Sequence, residues 1–408
     1  MSAPSTVLEG ARLAHGGMIV DAPLALVDGR VARTGDPSAF RIDLTGHVVF
    51  PGLINAHDHL QLNGVRPLPH DAPFASSYEW IDAFAAHRRL VDVVAAVAVP
   101  KPARHWQGAL KNLLAGATTV AHHDPHHPVL DDPTFPVVVP RGLGWAHSLG
   151  LGHPLGDAPP RYGPPLRESH AATPADRPWI VHLAEGTDAE SRGECARLDA
   201  LGCLTSNAVL VHGVGLTDAD VERIVARGAA VVWCPASNLE LLGRTIEARA
   251  VRRLFDAGRL ALGTDSRLTG ARDLLDELRV ARAHSDLSPA ELLRLVTTGA
   301  ARVLRLGDRG TLRPGAVGDC VILRAGLDPY EALLCARRDT VRAVVRDGAP
   351  VLADPDFADW FAHCGVETAR IVVDGRPKLV ARTALPPDVL GLEPGLVLER
   401  QDDRSYSF

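Results

Sequence analysis

The fold is decided by the stretch His47-Val48-Val49-Phe50-Pro51-Gly52-Leu53-Ile54-Asn55-Ala56-His57-Asp58-His59, an apolar run that ends in two histidines one residue apart. Side chains alternate between the faces of an extended strand, so the imidazoles of His57 and His59 point the same way. Such a pair can hold one metal ion from the end of a strand. A solvated or hydrogen-bonded pair is the commoner meaning of this motif, so the rest of the chain has to distinguish the two.

Three further apolar runs also end in residues that bind metals. They are Val181-His182-Leu183-Ala184-Glu185, Leu210-Val211-His212-Gly213 and Leu262-Gly263-Thr264-Asp265-Ser266. Strand-like runs alternate with helical stretches in this part of the chain, which is typical of a (β/α) barrel. Functional groups in such barrels lie at the carboxyl ends of the strands, where each of these residues falls.

This ordered set resembles the metal-dependent amidohydrolase superfamily, which carries H-x-H on the first barrel strand, single histidines on the fifth and sixth, and an aspartate on the eighth. The resemblance implies an α/β fold, a (β/α)8 TIM-type barrel with a small β-sandwich built from both termini. We expect the sandwich at 1–50 and 310–385 and the barrel at 51–309. A tail at 386–408 is expected to dock on a neighbouring subunit or to stay loose.

The fourth barrel strand is the clearest departure from that pattern. Only seven strand-like runs are found, and the segment from Gly150 to Pro178 is rich in proline and glycine. Either the fourth strand is short and irregular there, or the barrel is distorted around it. The seven predicted strands are 48–56, 116–122, 136–147, 178–183, 208–212, 229–234 and 260–264.

The resemblance implies a metal site made by four side chains, with water in the remaining position. Neutral imidazoles and a carboxylate suit one divalent ion; zinc is favoured, and iron and manganese are the alternatives. Two-metal relatives bridge their ions with a carboxylated lysine on the fourth strand, but the lysines here are Lys101, Lys111 and Lys378. Glu168 is the one glutamate that could substitute, so a mononuclear site is predicted. The predicted ligands are His57, His59, His182 and Asp265.

A mononuclear site is similar to the deaminase and chlorohydrolase branch, which also shares the H-x-x-E of His182 and Glu185. This likeness implies that Asp265 accepts a proton from the attacking water and that His212 orients that water. Glu185 would carry a proton to a substrate ring nitrogen. The alternative for Glu185 is a first-turn acid that stabilises the next helix, and the two roles are compatible.

Candidate substrate residues follow several strands. Asn238, in a segment similar to the C-P-x-S-N of deaminase-like members, would bond the substrate or buttress His212, or else satisfy its own turn. His123 belongs to the run His122-His123-Asp124-Pro125-His126-His127. This run is expected either to bind substrate or a second ion, or to be a polar loop whose histidines have no function. Trp145 and His147 are candidates for contact with a flat ring. Ser266 is a candidate beside Asp265.

The leading hypothesis is therefore a hydrolase of carbon–nitrogen bonds other than peptide bonds, namely a hydrolytic deaminase of an amino-substituted heterocycle or cyclic amidine. The same groups suit cyclic amide or imidazolone ring opening and triazine dechlorination. A non-catalytic scaffold on the same fold is the alternative from another class. The sequence does not identify the substrate.

The amino-acid composition limits the kinds of molecule that this protein is expected to bind. The chain has 408 residues, of which 46% are hydrophobic and 23% charged, with a net charge of −6. This balance gives no basic footprint for nucleic acid, and no apolar run is long enough to span a membrane. The N-terminus lacks the regions of a signal peptide and the six cysteines show no CxxC pairing, so we expect a cytoplasmic protein. A small heterocyclic molecule is the expected partner, with a homodimer as the default assembly.

Overall fold

The computed structural model describes residues 4–15, 17–35, 37–152 and 162–399. No helix among them is both long and apolar enough to cross a bilayer. Their strands are β1 (Thr6–Glu9), β2 (Arg12–His15), β3 (Met18–Asp21), β4 (Leu24–Val27), β5 (Arg30–Ala32), β6 (Phe40–Asp43), β7 (His47–Pro51), β8 (Leu53–Asp58), β9 (Ala117–His122), β10 (Gly144–Ser148), β11 (Trp179–Leu183), β12 (Ala208–His212), β13 (Ala230–Trp233), β14 (Leu260–Leu262), β15 (Cys320–Arg324), β16 (Ala343–Arg346), β17 (Ala349–Ala353), β18 (Thr368–Val373), β19 (Arg376–Ala381) and β20 (Leu396–Leu398). The α-helices are α1 (Ser77–His87), α2 (Val91–Ala98), α3 (Lys101–Leu114), α4 (Leu149–Gly152), α5 (Leu166–Ala172), α6 (Ala189–Ala200), α7 (Asp218–Arg227), α8 (Pro235–Leu242), α9 (Ala248–Asp256), α10 (Leu274–Ala283), α11 (Pro289–Leu295), α12 (Thr298–Val303), α13 (Pro329–Cys335) and α14 (Ala358–His363).

Two sheets lie outside the barrel, and the larger one takes strands from both ends of the chain. One has the order β5-β4-β1-β6, and the other has the order β20-β18-β19-β17-β16-β15-β7-β2-β3. A single apolar cluster joins the two sheets and includes Leu8, Leu26, Ile322 and Trp360. The domain boundaries given above remain a prediction.

Gly52 divides the apolar run that opens this section. The sequence predicts one strand over 48–56, but β7 pairs antiparallel with β15 in the nine-stranded sheet, whereas β8 pairs parallel with β9 in the barrel. A Cβ at Gly52 would lie 2.4 Å from Thr118 Oγ1 and 2.8 Å from Asp319 Cβ. Only glycine fits where the chain passes between the two units, because both distances are far below van der Waals contact.

The barrel strands are parallel and small apolar side chains fill their interior. Strands β10 to β14 form one sheet in sequence order, and the chain after β14 returns to β8, where Thr264 N–H donates to His57 O at 3.0 Å. An interior of packed side chains rather than a pore is expected of this architecture. The interior cluster includes Ile54, Ala56, Ala121, Ile180, Val209, Val211, Val232 and Ala261.

The prediction of one strand over 136–147 is wrong, and the fourth strand that the sequence could not place begins within that range, before the segment from Gly150 to Pro178. The third strand of the barrel is reduced to a single parallel bridge, in which Val138 pairs with Thr119. Val138 N–H donates to Thr118 O at 2.8 Å and Val138 O accepts from Val120 N–H at 2.9 Å. Pro136 and Pro140 flank the bridge and have no N–H to donate, which confines the strand to one pair. Strand β10 is therefore the fourth strand, and it carries His147 rather than a lysine.

The described part of the C-terminal tail packs on its own chain. Strand β20 pairs antiparallel with β18 at the edge of the nine-stranded sheet. Glu393 is buried and accepts from Arg338 Nη1 at 2.5 Å and from Arg267 Nη2 at 2.7 Å. These contacts hold residues up to 399 against their own chain, and docking on a neighbouring subunit remains a prediction.

A fully buried ion pair joins β8 to α3 beneath the strand ends. Lys111 Nζ lies 3.0 Å from Asp58 Oδ2, and both side chains are inaccessible to solvent. Lys111 Nζ also donates to Thr264 Oγ1 at 3.0 Å and to the Asp265 carbonyl at 3.1 Å. Asn112 Nδ2 donates to the same Asp58 oxygen at 2.8 Å. The network therefore ties the His57-Asp58-His59 motif to the backbone that carries Asp265.

Substituting Lys111 with methionine should strongly destabilise the protein, because Asp58 would be left as an uncompensated buried charge. Breaking one side of a buried pair costs about 3–5 kcal/mol. Urea unfolding of Lys111→Met should show that loss, and adding Asp58→Asn should restore a large part of it. A single variant as stable as the parent would contradict the account of this network.

Candidate metal centre

Three imidazoles from two strand ends converge on one point. His57 and His59 come from β8 and the residue after it, and His182 comes from β11. The Nε2 atom of His182 lies 3.3 Å from Nε2 of His57 and 3.3 Å from Nε2 of His59. Tetrahedral zinc with Zn–N bonds of about 2.0–2.1 Å has donor–donor edges of about 3.4 Å. The spacing of these nitrogens therefore fits a single ion.

Asp265 supplies the carboxylate on the open side of this group. Its Oδ1 lies 3.6 Å from His59 Nε2 and 3.8 Å from His57 Nε2. Its Oδ2 accepts hydrogen bonds from Ser237 Oγ at 2.9 Å and Thr269 Oγ1 at 2.8 Å. Two hydroxyl donors fix one oxygen and leave the other directed at the imidazoles.

The imidazoles of His57 and His182 favour the neutral form that binds metal. Burial lowers the pKa of His57 and of His182 well below the ordinary value, and neighbouring imidazoles lower it further. The Nδ1–H of His182 donates to the His147 carbonyl at 2.9 Å, which leaves the lone pair on Nε2. Ligating histidines have to be neutral, with the second ring nitrogen held by a hydrogen bond. The donor set fits one divalent ion.

Asp124 holds His59, and sequence reasoning missed it. Its Oδ2 lies 2.7 Å from His59 Nδ1 and accepts from Gln61 Nε2 at 2.6 Å, while Tyr162 O–H donates to Oδ1. Burial lowers the pKa of His59, but the Asp124 carboxylate outweighs burial and raises it to about 9. A carboxylate on the second nitrogen of a ligating histidine orients the ring and makes it more basic. The signal in the sequence was Asp124 itself, within the histidine-rich run after β9.

Two of the functional residues lie in the left-handed region of backbone space. The φ angle is +78° at His212 and +54° at Asp265. A residue with a side chain is disfavoured there, and such strain persists only where the surrounding structure enforces it. His212 is the last residue of β12 and Asp265 lies beyond the end of β14, and both side chains line the cavity at the barrel mouth.

His212 and Glu185 form a pair beside the metal donors. Glu185 Oε1 lies 3.4 Å from His212 Nε2, and His212 Nδ1 lies 2.9 Å from Asn238 Oδ1. Burial raises the pKa of Glu185, which favours a form that carries a proton. Helix α6 begins at Ala189 with Asp188 as its cap, and Glu190 is its first-turn acid. The alternative role of Glu185 as a first-turn acid therefore does not apply.

The candidate substrate residues separate into two groups. His147 and Ser266 line the cavity above the donors. Trp145 lines a neighbouring cavity instead, and Asn238 is buried against His212, so the structure does not support substrate contact by either. His123 is buried among the imidazoles of the candidate metal centre.

The cavity above the donors has a volume of about 520 Å³ and a mixed wall. Trp80 and Phe84 stack with ring centroids 5.1 Å apart and form part of the apolar side. Lys101 and Arg104 lie on the wall as well. A flat apolar surface with a few polar groups is typical of a site for a small molecule.

The barrel and this donor set define a metal-dependent hydrolase. The model of the amidohydrolase family matches residues 169–368. The chain carries an amidohydrolase-family domain, and the predicted family, fold class and single divalent ion, with zinc favoured, are confirmed.

Curated relatives match over most of the chain. The 5-methylthioadenosine/S-adenosylhomocysteine deaminase of Pyrococcus furiosus is 26% identical and covers 83% of this chain and 92% of its own. The 8-oxoguanine deaminase of Pseudomonas aeruginosa is 25% identical over 82% of this chain and 89% of its own. The zinc complex of atrazine chlorohydrolase from Arthrobacter aurescens superposes with a TM-score of 0.66 at 21% identity, covering 88% of this chain and 100% of that one. The structural likeness shows the fold.

Proposed function

We propose that this protein is a metal-dependent hydrolytic deaminase that converts an amino-substituted heterocycle or cyclic amidine to the carbonyl compound and ammonia. The observation that carries the proposal is the Glu185–His212 pair, 3.4 Å apart, on the cavity wall beside the metal donors. The deaminase relatives support it. The side chains that could donate to a metal lie close together, which argues against a non-catalytic scaffold on the same fold. The homodimer and the cytoplasmic location remain predictions.

The chemistry divides among three side chains. A divalent ion in this site lowers the pKa of water towards about 7 and makes hydroxide available at neutral pH. Asp265 accepts the proton of the attacking water, and His212 orients that water and stabilises the charge that develops at the attacked carbon. Glu185 passes a proton to the ring nitrogen. The proton taken by Asp265 then passes to the amino group, the carbon–nitrogen bond breaks and ammonia leaves. The added hydroxyl loses its proton to Glu185, and the ring carbon becomes a carbonyl.

The direct test is ammonia release by zinc-loaded protein from a panel of aminopurines, aminopyrimidines and cyclic guanidines. Deamination predicts one ammonia for each carbonyl product formed. A new carboxylate without ammonia would instead identify a ring-opening hydrolase, and chloride release from a chlorotriazine would identify a chlorohydrolase. Either of these, with no ammonia from any amino compound, would overturn the proposal.

Glu185→Gln should retain zinc but lose activity. A positioned general acid contributes roughly 10²–10⁴-fold, so kcat should fall by about that factor. The matched control is Glu190→Gln, an exposed acid at the start of α6, whose kcat should equal that of the parent. Full activity in Glu185→Gln with zinc still bound would show that the proton takes another route.

We also propose that the preferred substrate carries an anionic group. Lys101 lines the cavity, and no carboxylate of the described residues forms an ion pair with it. Arg104 lies nearby on α3, with Nε and Nη1 donating to the carbonyls of Val99 and Gln61 at 3.0 Å each. These cations suit a carboxylate or phosphate at a distance from the attacked ring.

Lys101→Gln should raise KM for a substrate that carries a carboxylate and leave KM unchanged for one that lacks it. S-adenosylhomocysteine and 5′-methylthioadenosine share the aminopurine but differ in the amino-acid end, which makes them a suitable pair. A lost contact of about 1.4 kcal/mol corresponds to about tenfold in KM. Arg89→Gln is the control, because Arg89 is exposed and does not line the cavity. Equal changes for both substrates would refute the charge-specific role.

A further inference from the structure

A buried carboxylate holds the backbone directly before Glu185. It belongs to Glu194 on α6, whose side chain is only 2% exposed. Its Oε2 accepts a hydrogen bond from Ala184 N–H at 2.6 Å, and its Oε1 accepts one from Tyr78 O–H at 2.5 Å. Neither Glu194 nor Tyr78 lines the cavity above the metal donors. Any effect of Glu194 on the reaction therefore has to pass through the residues that it holds.

Ala184 has a strained backbone between a metal donor and the proton carrier. Its φ angle is +53°, in a region that is disfavoured for a residue with a side chain. Both of its backbone polar groups are bonded, since its N–H donates to Glu194 and its carbonyl accepts from Gly215 N–H at 2.7 Å. Strain of this kind persists only where the surroundings enforce it. The turn at Ala184 sets the direction in which the chain leaves His182 and so the placement of Glu185.

Glu194 has neither of the common structural roles of a helical acid. The first-turn acid of α6 is Glu190, so Glu194 does not stabilise the start of that helix. Arg197 Nη2 lies 3.8 Å from Glu194 Oε1, which is too long for a hydrogen bond. Burial raises the pKa of Glu194 to about 7, although its two hydrogen-bond donors oppose that rise. A carboxyl group is costly in such a place, and its hydrogen bonds go to the residues around Glu185.

The start of α1 completes this arrangement. Ser77 N–H donates to the Glu185 carbonyl at 2.9 Å. Tyr78, the next residue, donates its O–H to Glu194 and accepts from Gly150 N–H at 2.8 Å. Helix α1 therefore holds Glu185 at its carbonyl, while Glu194 holds the N–H of the preceding residue and is itself fixed by Tyr78.

Resting on the proposed function, in which Glu185 carries a proton, we propose that Glu194 is a positioning residue for Glu185. One oxygen of its carboxylate holds the turn before Glu185, and the other is fixed by Tyr78. The proton carrier is thereby kept in one orientation relative to the metal donors. Tyr78 has the same role at one remove, because it determines where the carboxylate of Glu194 lies.

Glu194→Leu tests the assignment by removing both acceptors from a side chain of similar size. The kcat should fall about 10–100-fold, since a displaced catalytic group can cost about 10²-fold. The zinc content and KM should equal those of the parent, measured with a compound of the panel from which the parent releases ammonia. Glu194→Gln keeps an acceptor for Ala184 N–H and should recover part of the lost activity. Glu190→Gln is the matched control on the same helix.

A double substitution separates positioning from a general structural effect. If Glu194 acts through Glu185, adding Glu194→Leu to Glu185→Gln should lower kcat no further, whereas independent effects would add. An equal loss in both backgrounds, a parent-like kcat in Glu194→Leu, or loss of zinc from that variant would overturn the assignment. The proposed function is judged separately, by ammonia release from the parent and by the activity of Glu185→Gln alone.

Tyr78→Phe tests the other hydrogen bond with a milder change. Its kcat should fall in the same direction as in Glu194→Leu, because the carboxylate of Glu194 loses the donor that fixes it. Tyr330→Phe is the control, since the Tyr330 hydroxyl has no hydrogen-bond partner among the described residues and does not line the cavity. A kcat of Tyr78→Phe equal to that of the parent would overturn the role assigned to Tyr78.

Discussion

The structure depends on bringing bare imidazole nitrogens together in a space that excludes water. The Nε2 atom of His182 lies 3.3 Å from Nε2 of His57 and 3.3 Å from Nε2 of His59. Burial lowers the pKa of His57 and of His182 and so disfavours a proton on either ring. Facing lone pairs repel, so the group requires one positive charge at its centre. The Asp124 carboxylate raises the pKa of His59 to about 9, so a proton on that ring can supply part of this charge. A divalent cation satisfies the requirement more fully, because all of the donors share it.

Much of the surrounding structure serves to hold these donors against their repulsion. The His147 carbonyl and the Asp124 carboxylate fix the rings of His182 and His59, and Ser237 and Thr269 fix the Asp265 carboxylate. The buried Lys111 binds both Asp58 and the Asp265 backbone. The strained backbone at His212 and Asp265 fits the same picture, since a rigid scaffold is needed to maintain it.

The sequence predicted those residues of the site whose positions follow from the regular pattern of the strands. His57 and His59 follow from strand alternation, and His182, His212 and Asp265 follow from their places at the ends of apolar runs. Asp124 and His123 could not be assigned, because their partners are far away in sequence and the run that holds them resembles a polar loop. The third strand was missed since two prolines reduce it to one bridge. The division at Gly52 depends on packing against Thr118 and Asp319, which no local pattern records.

The central claim is that these separate strand ends share one metal ion. A crystal structure of zinc-loaded protein, with anomalous data on both sides of the zinc edge, tests it most directly. The account predicts one anomalous peak per chain, in contact with His57 Nε2, His59 Nε2, His182 Nε2 and Asp265 Oδ1. A peak elsewhere, or fully loaded protein with no peak between these atoms, would contradict it.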